Sequence, residues 1–236
     1  MTARTLFVTG TDTEIGKTRI STALLRGLRG VGQRAVGYKP VASGCVAGAE
    51  GLRNEDALAL QAAGTPGWDY DAINPYAFGP AIAPHIAAAD AGATVDRAVL
   101  DAGHDALAAA SDWVVVEGAG GWYVPLSDTL DFADWVAARG WPVLLVVGMR
   151  LGCVNHALLS AHAIAVRTRL VGWIANTLPP EQPRLAANLA CLEARMPAPL
   201  VARVDMDPAP DFTLNPALWF ARTYPQGYKT RSLPAV

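Results

Sequence analysis

The sequence predicts an α/β fold, a mostly parallel sheet with helices on both faces. Three observations lead there. Six short apolar runs recur along the 236 residues, each nearly continuous in hydrophobicity, as strands buried on both faces must be. Longer stretches with apolar residues at three- and four-residue spacing separate them, as the helical crossovers between parallel strands require. The composition, 52% hydrophobic and 17% charged, is that of a folded globular chain and excludes a disordered segment or a lone coiled coil.

The elements can be taken in order. Strands are expected at Thr5–Thr9, Ala35–Lys39, Trp113–Glu117, Val143–Val147, Val171–Asn176 and Leu200–Val204, all rich in Val, Leu or Ile. Helices are expected at Lys17–Arg29, Glu55–Ala63, Val95–Ala110, Phe132–Arg139, Asn155–Thr168 and Glu181–Arg195, with Gly or Pro punctuating several ends. The stretch Gly64–Pro84, with Pro66, Gly67, Pro75, Pro80 and Pro84, reads as a long irregular connection of the kind that often carries function. Residues 1–211 read as a single domain, and 212–236 as a tail without clear periodicity.

Charge and cysteine usage bound the partners. Nineteen Lys and Arg against 21 Asp and Glu leave a net charge of -2, spread along the chain, so no footprint for nucleic acid or an anionic membrane is expected. Cys45, Cys153 and Cys191 are odd in number and widely spaced, which reads as reduced thiols. No apolar run is long enough to span a bilayer or serve as a signal peptide, and the expected location is the cytoplasm.

The chemistry concentrates at strand ends. Thr9-Gly10-Thr11-Asp12-Thr13-Glu14-Ile15-Gly16-Lys17-Thr18 follows the first strand and opens the first helix, as a phosphate-binding loop must, and it makes the fold P-loop NTPase-like. A Gly-Lys-[Ser/Thr] triplet is expected by chance only about 0.02 times in this composition, so coincidence is a poor explanation. Backbone N–H groups from Glu14, Ile15, Gly16, Lys17 and Thr18, with Arg19 following, would cradle the phosphates of ATP. Lys17 would reach the β and γ oxygens and the Thr18 hydroxyl would bind Mg²⁺. The loop is a variant, because Thr11 stands where the usual loop begins with Gly. Val114-Val115-Val116-Glu117-Gly118-Ala119-Gly120-Gly121 resembles a Walker B strand, its carboxylate placed at the crevice where open α/β sheets bind ligands. Gly37-Tyr38-Lys39-Pro40-Val41-Ala42-Ser43-Gly44 ends the second strand. Lysine is rare in this chain, with only Lys17, Lys39 and Lys229 beside 16 arginines, and a compact ammonium suits phosphate oxygens. A further metal acid comes from Asp56, Glu55 or Asp12, and spacing does not choose among them. Gly152-Cys153-Val154-Asn155-His156 opens a helix whose free N–H groups could hold an anion, or which Asn155 simply caps. Asn176 ends the fifth strand with a carboxamide able to pair with adenine, and Thr177 follows it.

In this order and spacing, from the first strand to about Leu200, these segments resemble the dethiobiotin synthase family. The resemblance implies an ATP- and Mg²⁺-dependent ring closure of 7,8-diaminononanoate with CO₂ to dethiobiotin, with ADP and phosphate as the other products. It implies catalytic roles for Lys17 and Lys39 and a metal set of Thr18, Asp56 and Glu117. Nucleotide contacts would come from residues 14–19, Gly118, Ala119, Gly120, Asn176 and Thr177. Thr13 and Ser43 would contact the diamine or its carbamate, and Gly152, Cys153 and Asn155 of a second subunit would receive the substrate carboxylate in a homodimer. The sequence departs from the family pattern on the base-binding side, with Val204-Asp205-Met206 where Ile-Pro is common and Thr177 where Asp is common. The rival reading is a nucleotide-switched positioning or scaffold ATPase of related fold, which Thr11, Asp12 and Thr13 in place of an early loop lysine argue against.

Overall fold

The computed structural model describes residues 3–206 and 213–214. In chain order the elements are β1 (Arg4–Gly10), α1 (Lys17–Gly30), β2 (Ala35–Tyr38), β3 (Val41–Ala42), β4 (Val46–Gly48), β5 (Gly51–Arg53), α2 (Glu55–Ala63), α3 (Tyr70–Ile73), β6 (Tyr76–Ala77), α4 (Pro84–Asp90), α5 (Arg97–Ala109), β7 (Trp113–Glu117), α6 (Phe132–Arg139), β8 (Val143–Met149), α7 (Cys153–Ala165), β9 (Leu170–Thr177), α8 (Leu185–Arg195) and β10 (Leu200–Val204). All six expected strands are present and form one parallel sheet in the order β10-β9-β8-β1-β7-β2.

This order explains the continuous apolar runs. Strands β7, β8 and β9 are buried at every residue because helices cover both faces. The β2 edge is also sealed, since Thr65 and Ala35 exchange hydrogen bonds and the Lys39 N–H donates to the Ile73 carbonyl. The chain leaves β1 for β2 in one direction, while β8 lies on the other side of β1. The carboxyl end of β1 is therefore a topological switch point, where open sheets leave a ligand crevice.

Several boundaries differ from expectation for identifiable reasons. Helix α7 begins at Cys153, because Gly152 adopts the left-handed conformation that starts it; Asn155 lies inside the first turn, exposed, and does not cap the helix. Helix α8 begins at Leu185 rather than Glu181, because Gln182 turns inward to Cys153 and Asn188 and Arg184 takes a positive φ of 62°. The Gly64–Pro84 stretch contains α3 and β6, elements too short to show periodicity, with β6 pairing in parallel with β3. The tail falls outside the described residues except Thr213 and Leu214; the Leu214 N–H donates to the Ala23 carbonyl, so the chain after β10 returns onto α1. Among the described residues no helix is long and apolar enough to cross a membrane.

A polar cluster ties α5 and α6 to the starts of β1 and β8, at the end of the sheet away from the switch point. His104 is 3% exposed and stacks on Trp141 at 4.4 Å. Its Nε2 lies 2.9 Å from Thr5 Oγ1, and its Nδ1 lies 2.9 Å from both Arg139 Nη2 and Asp105 Oδ1. Asp105 also accepts from Arg139. Burial pushes the His104 pKa below its usual value, and the Asp105 carboxylate opposes this without overcoming it. A depressed native pKa means that the unfolded chain binds the extra proton first, so stability from this site is full above about pH 6.5 and falls as the pH drops below it. A His104→Gln variant is expected to show a flatter loss of urea midpoint between about pH 6.5 and 5 than the parent chain; an unchanged slope would remove His104 as the cause.

Candidate active site

The loop between β1 and α1 is set by packing beneath it. Ile15 is 1% exposed and drives into the sheet between Gly10 and Gly148, where a Cβ on Gly148 would come within 2.6 Å of Ile15 Cγ2. Thr11 needs no glycine, because it extends the β1 ladder: its N–H donates to the Val146 carbonyl and its hydroxyl accepts from the Gly148 N–H at 3.4 Å. Left-handed turns at Glu14 (φ 57°) and Gly16 (φ 85°) then reverse the chain into α1, and any side chain on Gly16 would strike Asn176 Nδ2 at 2.3 Å. Helix α1 starts with no side-chain cap and no acid in its first turn. Its first N–H groups have no intrahelical acceptor and, with the helix dipole, suit an anion.

Four side chains meet beside this loop. Thr18 Oγ1 donates toward Asp56 Oδ1 at 2.6 Å and lies 2.9 Å from Glu117 Oε1. Lys39 Nζ lies 2.8 Å from Asp56 Oδ2 and 2.7 Å from Glu117 Oε1. Lys39 and Glu117 are 3% and 0% exposed, so this is a buried charge cluster. Burial by itself would lower the Lys39 pKa, but Glu117 and Asp56 outweigh it and hold the ammonium above its usual range. For Asp56, burial pulls upward and Lys39 overcomes it, keeping the carboxyl below the usual value. Lys17 differs. Its Nζ donates to the Asp12 carbonyl at 3.0 Å, and burial, aided by Lys39, brings its pKa down to about 8.

A second polar network holds these groups in place. Asn54 caps α2 by accepting from the Ala57 N–H at 3.2 Å, which puts Asp56 in the first helical turn. The Asn54 N–H donates to the Tyr70 hydroxyl, which donates to Asn74 Oδ1; Asn74 Nδ2 in turn donates to the Lys39 carbonyl at 2.7 Å. Tyr70 thus links the backbone of Lys39 to the cap that positions Asp56. The sequence reading missed this chain; an Asn directly before the helical pattern Glu55-Asp56-Ala57 was the legible signal for the cap, but nothing local marks Tyr70 or Asn74.

A cavity of about 840 Å³ opens here, lined by ten of the expected residues: Thr13, Glu14, Gly16, Lys17, Thr18, Lys39, Ser43, Asp56, Ala119 and Gly120. Its other wall is apolar, from Ala81, Ile82, Ala83 and Pro84 ahead of α4 and from Val124 and Pro125. None of these was named as a site residue, although residues 81–84 end the Gly64–Pro84 stretch expected to carry function. The 78–84 stretch is pinned to the Ser43–Cys45 turn by Gly44 N–H to the Pro80 carbonyl and Cys45 N–H to the Phe78 carbonyl.

The remaining expected residues stand apart from the cavity lining. Asn176 is wholly buried; its Nδ2 donates to the Ile15 carbonyl at 2.8 Å and its Oδ1 faces Arg19 at 3.5 Å, so its amide braces the phosphate loop. Arg19 also donates to the Met206 carbonyl at 2.9 Å, and Thr177 is buried at the end of β9. Gly152 and Asn155 are exposed. Cys153 is turned inward, with Gln182 Nε2 at 3.6 Å from its sulfur and its N–H donated to the Arg150 carbonyl, so neither its thiol nor its amide is available to an anion. Arg150 pairs with Asp12 across the loop mouth.

The metal set fits what is present. Thr18, Asp56 and Glu117 offer hard oxygens, and Glu117 Oε2 is buried without a hydrogen-bond partner. Among the described residues no group of three or more His, Cys, Asp or Glu could hold a metal on its own. Two carboxylates and a hydroxyl suit Mg²⁺, which takes its other ligands from phosphate and water.

A glycine-tight phosphate loop at a switch point, a helix start open to anions and a strand-end carboxylate define a P-loop nucleotide-binding protein. Comparison agrees: residues 4–211 match the AAA domain family model, and the chain superposes on a ParA family ATPase from Chlorobium tepidum TLS with a TM-score of 0.50 at 13% identity, covering 87% of this chain and 85% of that one. That likeness concerns fold alone. Sequence is more specific: the chain is 54% identical over 228 residues to the ATP-dependent dethiobiotin synthetase BioD of Xylella fastidiosa (strain 9a5c), covering 96% of this chain and all of that protein. It is 53% identical over 199 residues to ATP-dependent dethiobiotin synthetase BioD 1 of Salmonella typhi, covering 84% of this chain and 87% of that protein. The chain belongs to the dethiobiotin synthetase family.

A Tyr70→Phe variant tests the supporting network. It leaves the buried Asn54 N–H and Asn74 Oδ1 without a partner and is expected to cost about 1–3 kcal/mol of unfolding free energy, read from urea midpoints. The same variant should lower kcat with little change in the KM for ATP, since the phosphate loop is untouched; a stable variant of normal kcat would show that the network does not position Lys39.

Proposed function

We propose that this chain closes a cyclic urea on 7,8-diaminononanoate, using ATP and CO₂ and releasing dethiobiotin, ADP and phosphate. The observation that carries this reading is the convergence of Lys17, Lys39, Thr18 and Asp56 on one cavity that also has an apolar wall, with Glu117 bonded to Thr18 and Lys39. A site serving only nucleotide hydrolysis has no need of that wall, whereas a diamine on an aliphatic chain does. The fold alone admits a positioning ATPase, but 54% identity to a named synthetase outweighs 13% to a ParA family protein.

The chemistry is phosphoryl transfer followed by intramolecular acylation, which needs positioning and charge neutralisation more than covalent participation. One substrate amine takes up CO₂ and loses a proton to give a carbamate. A carbamate oxygen attacks the γ-phosphorus, and the bond to the bridging oxygen breaks to release ADP. The second amine then attacks the activated carbonyl, expelling phosphate and closing the ring. The α1 N–H groups and Lys17 hold the β and γ oxygens, and Lys39, on the neighbouring strand end, faces carbamate and γ-phosphate. Thr18, Asp56 and Glu117 would hold Mg²⁺, which would supply charge neutralisation at the phosphates. Thr13 and Ser43 orient the amines, while Ile82, Pro84 and Val124 exclude water along the aliphatic chain. Asn176 and Arg19 brace the loop from the base side. Residues 1–211 act as one domain, working in the cytoplasm on small molecules without nucleic acid or membrane as partner.

The test measures phosphate release and incorporation of labelled carbon from bicarbonate with Mg·ATP and the diamine. Synthesis requires both to rise together with diamine, because the transition-state contacts exist only when the acceptor is in place. Phosphate release that is equally fast without diamine would instead favour the switch ATPase.

The active form is proposed to be a homodimer in which Gly152 and Asn155 of one subunit receive the substrate carboxylate of the other. What supports it is a set of exposed apolar side chains on α7 and at its two ends: Leu159 within the helix is 63% exposed, and Leu151 ahead of it and Val166 after it are 95% and 61% exposed, with Gly152 and Asn155 also exposed. Leu159→Arg is expected to give a monomer by sedimentation, with ATP binding kept and dethiobiotin formation lost; a monomer of full activity would sink the shared site.

A further inference from the structure

The buried cluster contains a competition for oxygen atoms. Lys39 Nζ takes Asp56 Oδ2 and Glu117 Oε1; Thr18 Oγ1 takes Asp56 Oδ1 and the same Glu117 Oε1. A divalent cation held by Thr18, Asp56 and Glu117 would use these oxygens too, and only Glu117 Oε2 is uncommitted. Glu117, with no exposed surface, requires a positive partner at that depth, and Lys39 is that partner; it also reaches the half-exposed Asp56. Adding a divalent cation while the ammonium stays would crowd three positive charges onto two negative ones within a few ångströms in a region of low dielectric.

We propose that Lys39 is a tethered counter-ion of the metal site: it keeps free divalent cations out and gives up Asp56 and Glu117 only when the metal arrives with a nucleotide. The polyphosphate is what makes the exchange possible, because it offers the ammonium a new anionic partner at the moment the carboxylates turn to the metal. The four-carbon stem of lysine allows that movement, and the cavity that Lys39 also lines gives it a destination. The device couples metal loading to delivery of Lys39 onto the γ-phosphate, so an empty site does not trap metal. The inference rests on the metal set proposed above.

The experiment is Mn²⁺ binding without nucleotide, followed by electron paramagnetic resonance on the parent chain, Lys39→Met, Glu117→Gln and the double variant. The parent is expected to bind Mn²⁺ weakly, Lys39→Met at least tenfold more tightly, and the double variant to lose that gain. Equal affinity for parent and Lys39→Met overturns the counter-ion role. If Glu117→Gln then still weakens Mn²⁺ binding in the presence of a non-hydrolysable ATP analogue, the metal set survives; if it does not, the metal set falls as well. Should Lys39→Met fail to fold, the parent chain answers directly. Labelling with ¹⁵N-lysine gives three Nζ signals, from Lys17, Lys39 and Lys229, assigned with Lys17→Arg and Lys229→Arg. The Lys39 signal is expected to stay in place with millimolar Mg²⁺ alone and to move when the ATP analogue is added; movement with Mg²⁺ alone overturns the proposal.

Discussion

The site depends on the burial of one carboxylate. Glu117 ends β7 with no exposed surface, and an ion at that depth carries a penalty of several kcal/mol unless charge and hydrogen bonds surround it. The strand order supplies them. Because β7 lies between β1 and β2, the loop leaving β1 brings Thr18 to one side and the end of β2 brings Lys39 to the other. Asp56, placed by the Asn54 cap, shares both partners. The groups at the candidate site are thus also the solution to a folding problem, and the Tyr70–Asn74 network lies where that solution must be held rigid.

The two lysines illustrate how burial and neighbours divide labour. Lys39 faces two carboxylates and remains charged, while Lys17 has mainly a backbone carbonyl near its ammonium and sits with a pKa of about 8. An incoming polyphosphate supplies Lys17 with the anionic partners it lacks. Opposite them, the 78–84 stretch brings a wall with no charge at all, so that one cavity presents a face for phosphate and a face for an aliphatic chain.

The relation to the ParA family protein shows why fold is a weak guide to activity. The two chains share a fold at 13% identity, and a parallel sheet with a phosphate loop at a switch point serves any nucleotide. In this chain the surroundings of the loop are more particular. Gly37 to Gly44 sets Lys39 beside Ser43, and the turn that follows carries the apolar wall against it.

The sequence by itself determined the strands, most helices and the chemistry of the strand ends. Continuous Val and Leu runs at 113–117 and 143–147 read as strands covered on both faces, and the Gly16-Lys17-Thr18 triplet at a strand-to-helix junction reads as a phosphate loop. Local pattern also sufficed for α2 and α6, whose bounds agree with expectation at both ends. Tertiary structure decided what depends on partners distant in the chain. Spacing left Asp12, Glu55 and Asp56 equal as acids; Asp56 meets Thr18 and Lys39 because the Asn54 cap fixes the rotation of α2, whereas Asp12 pairs with Arg150. Asn176 has a carboxamide that suits a base, and only the fold shows that it also braces the phosphate loop, donating to the Ile15 carbonyl 161 positions away. Cys153 looked accessible at a helix start, yet its thiol faces Gln182. A hydrogen bond has a limited number of donors and acceptors, and which of them remain free for a ligand is settled only when the chain has folded around them.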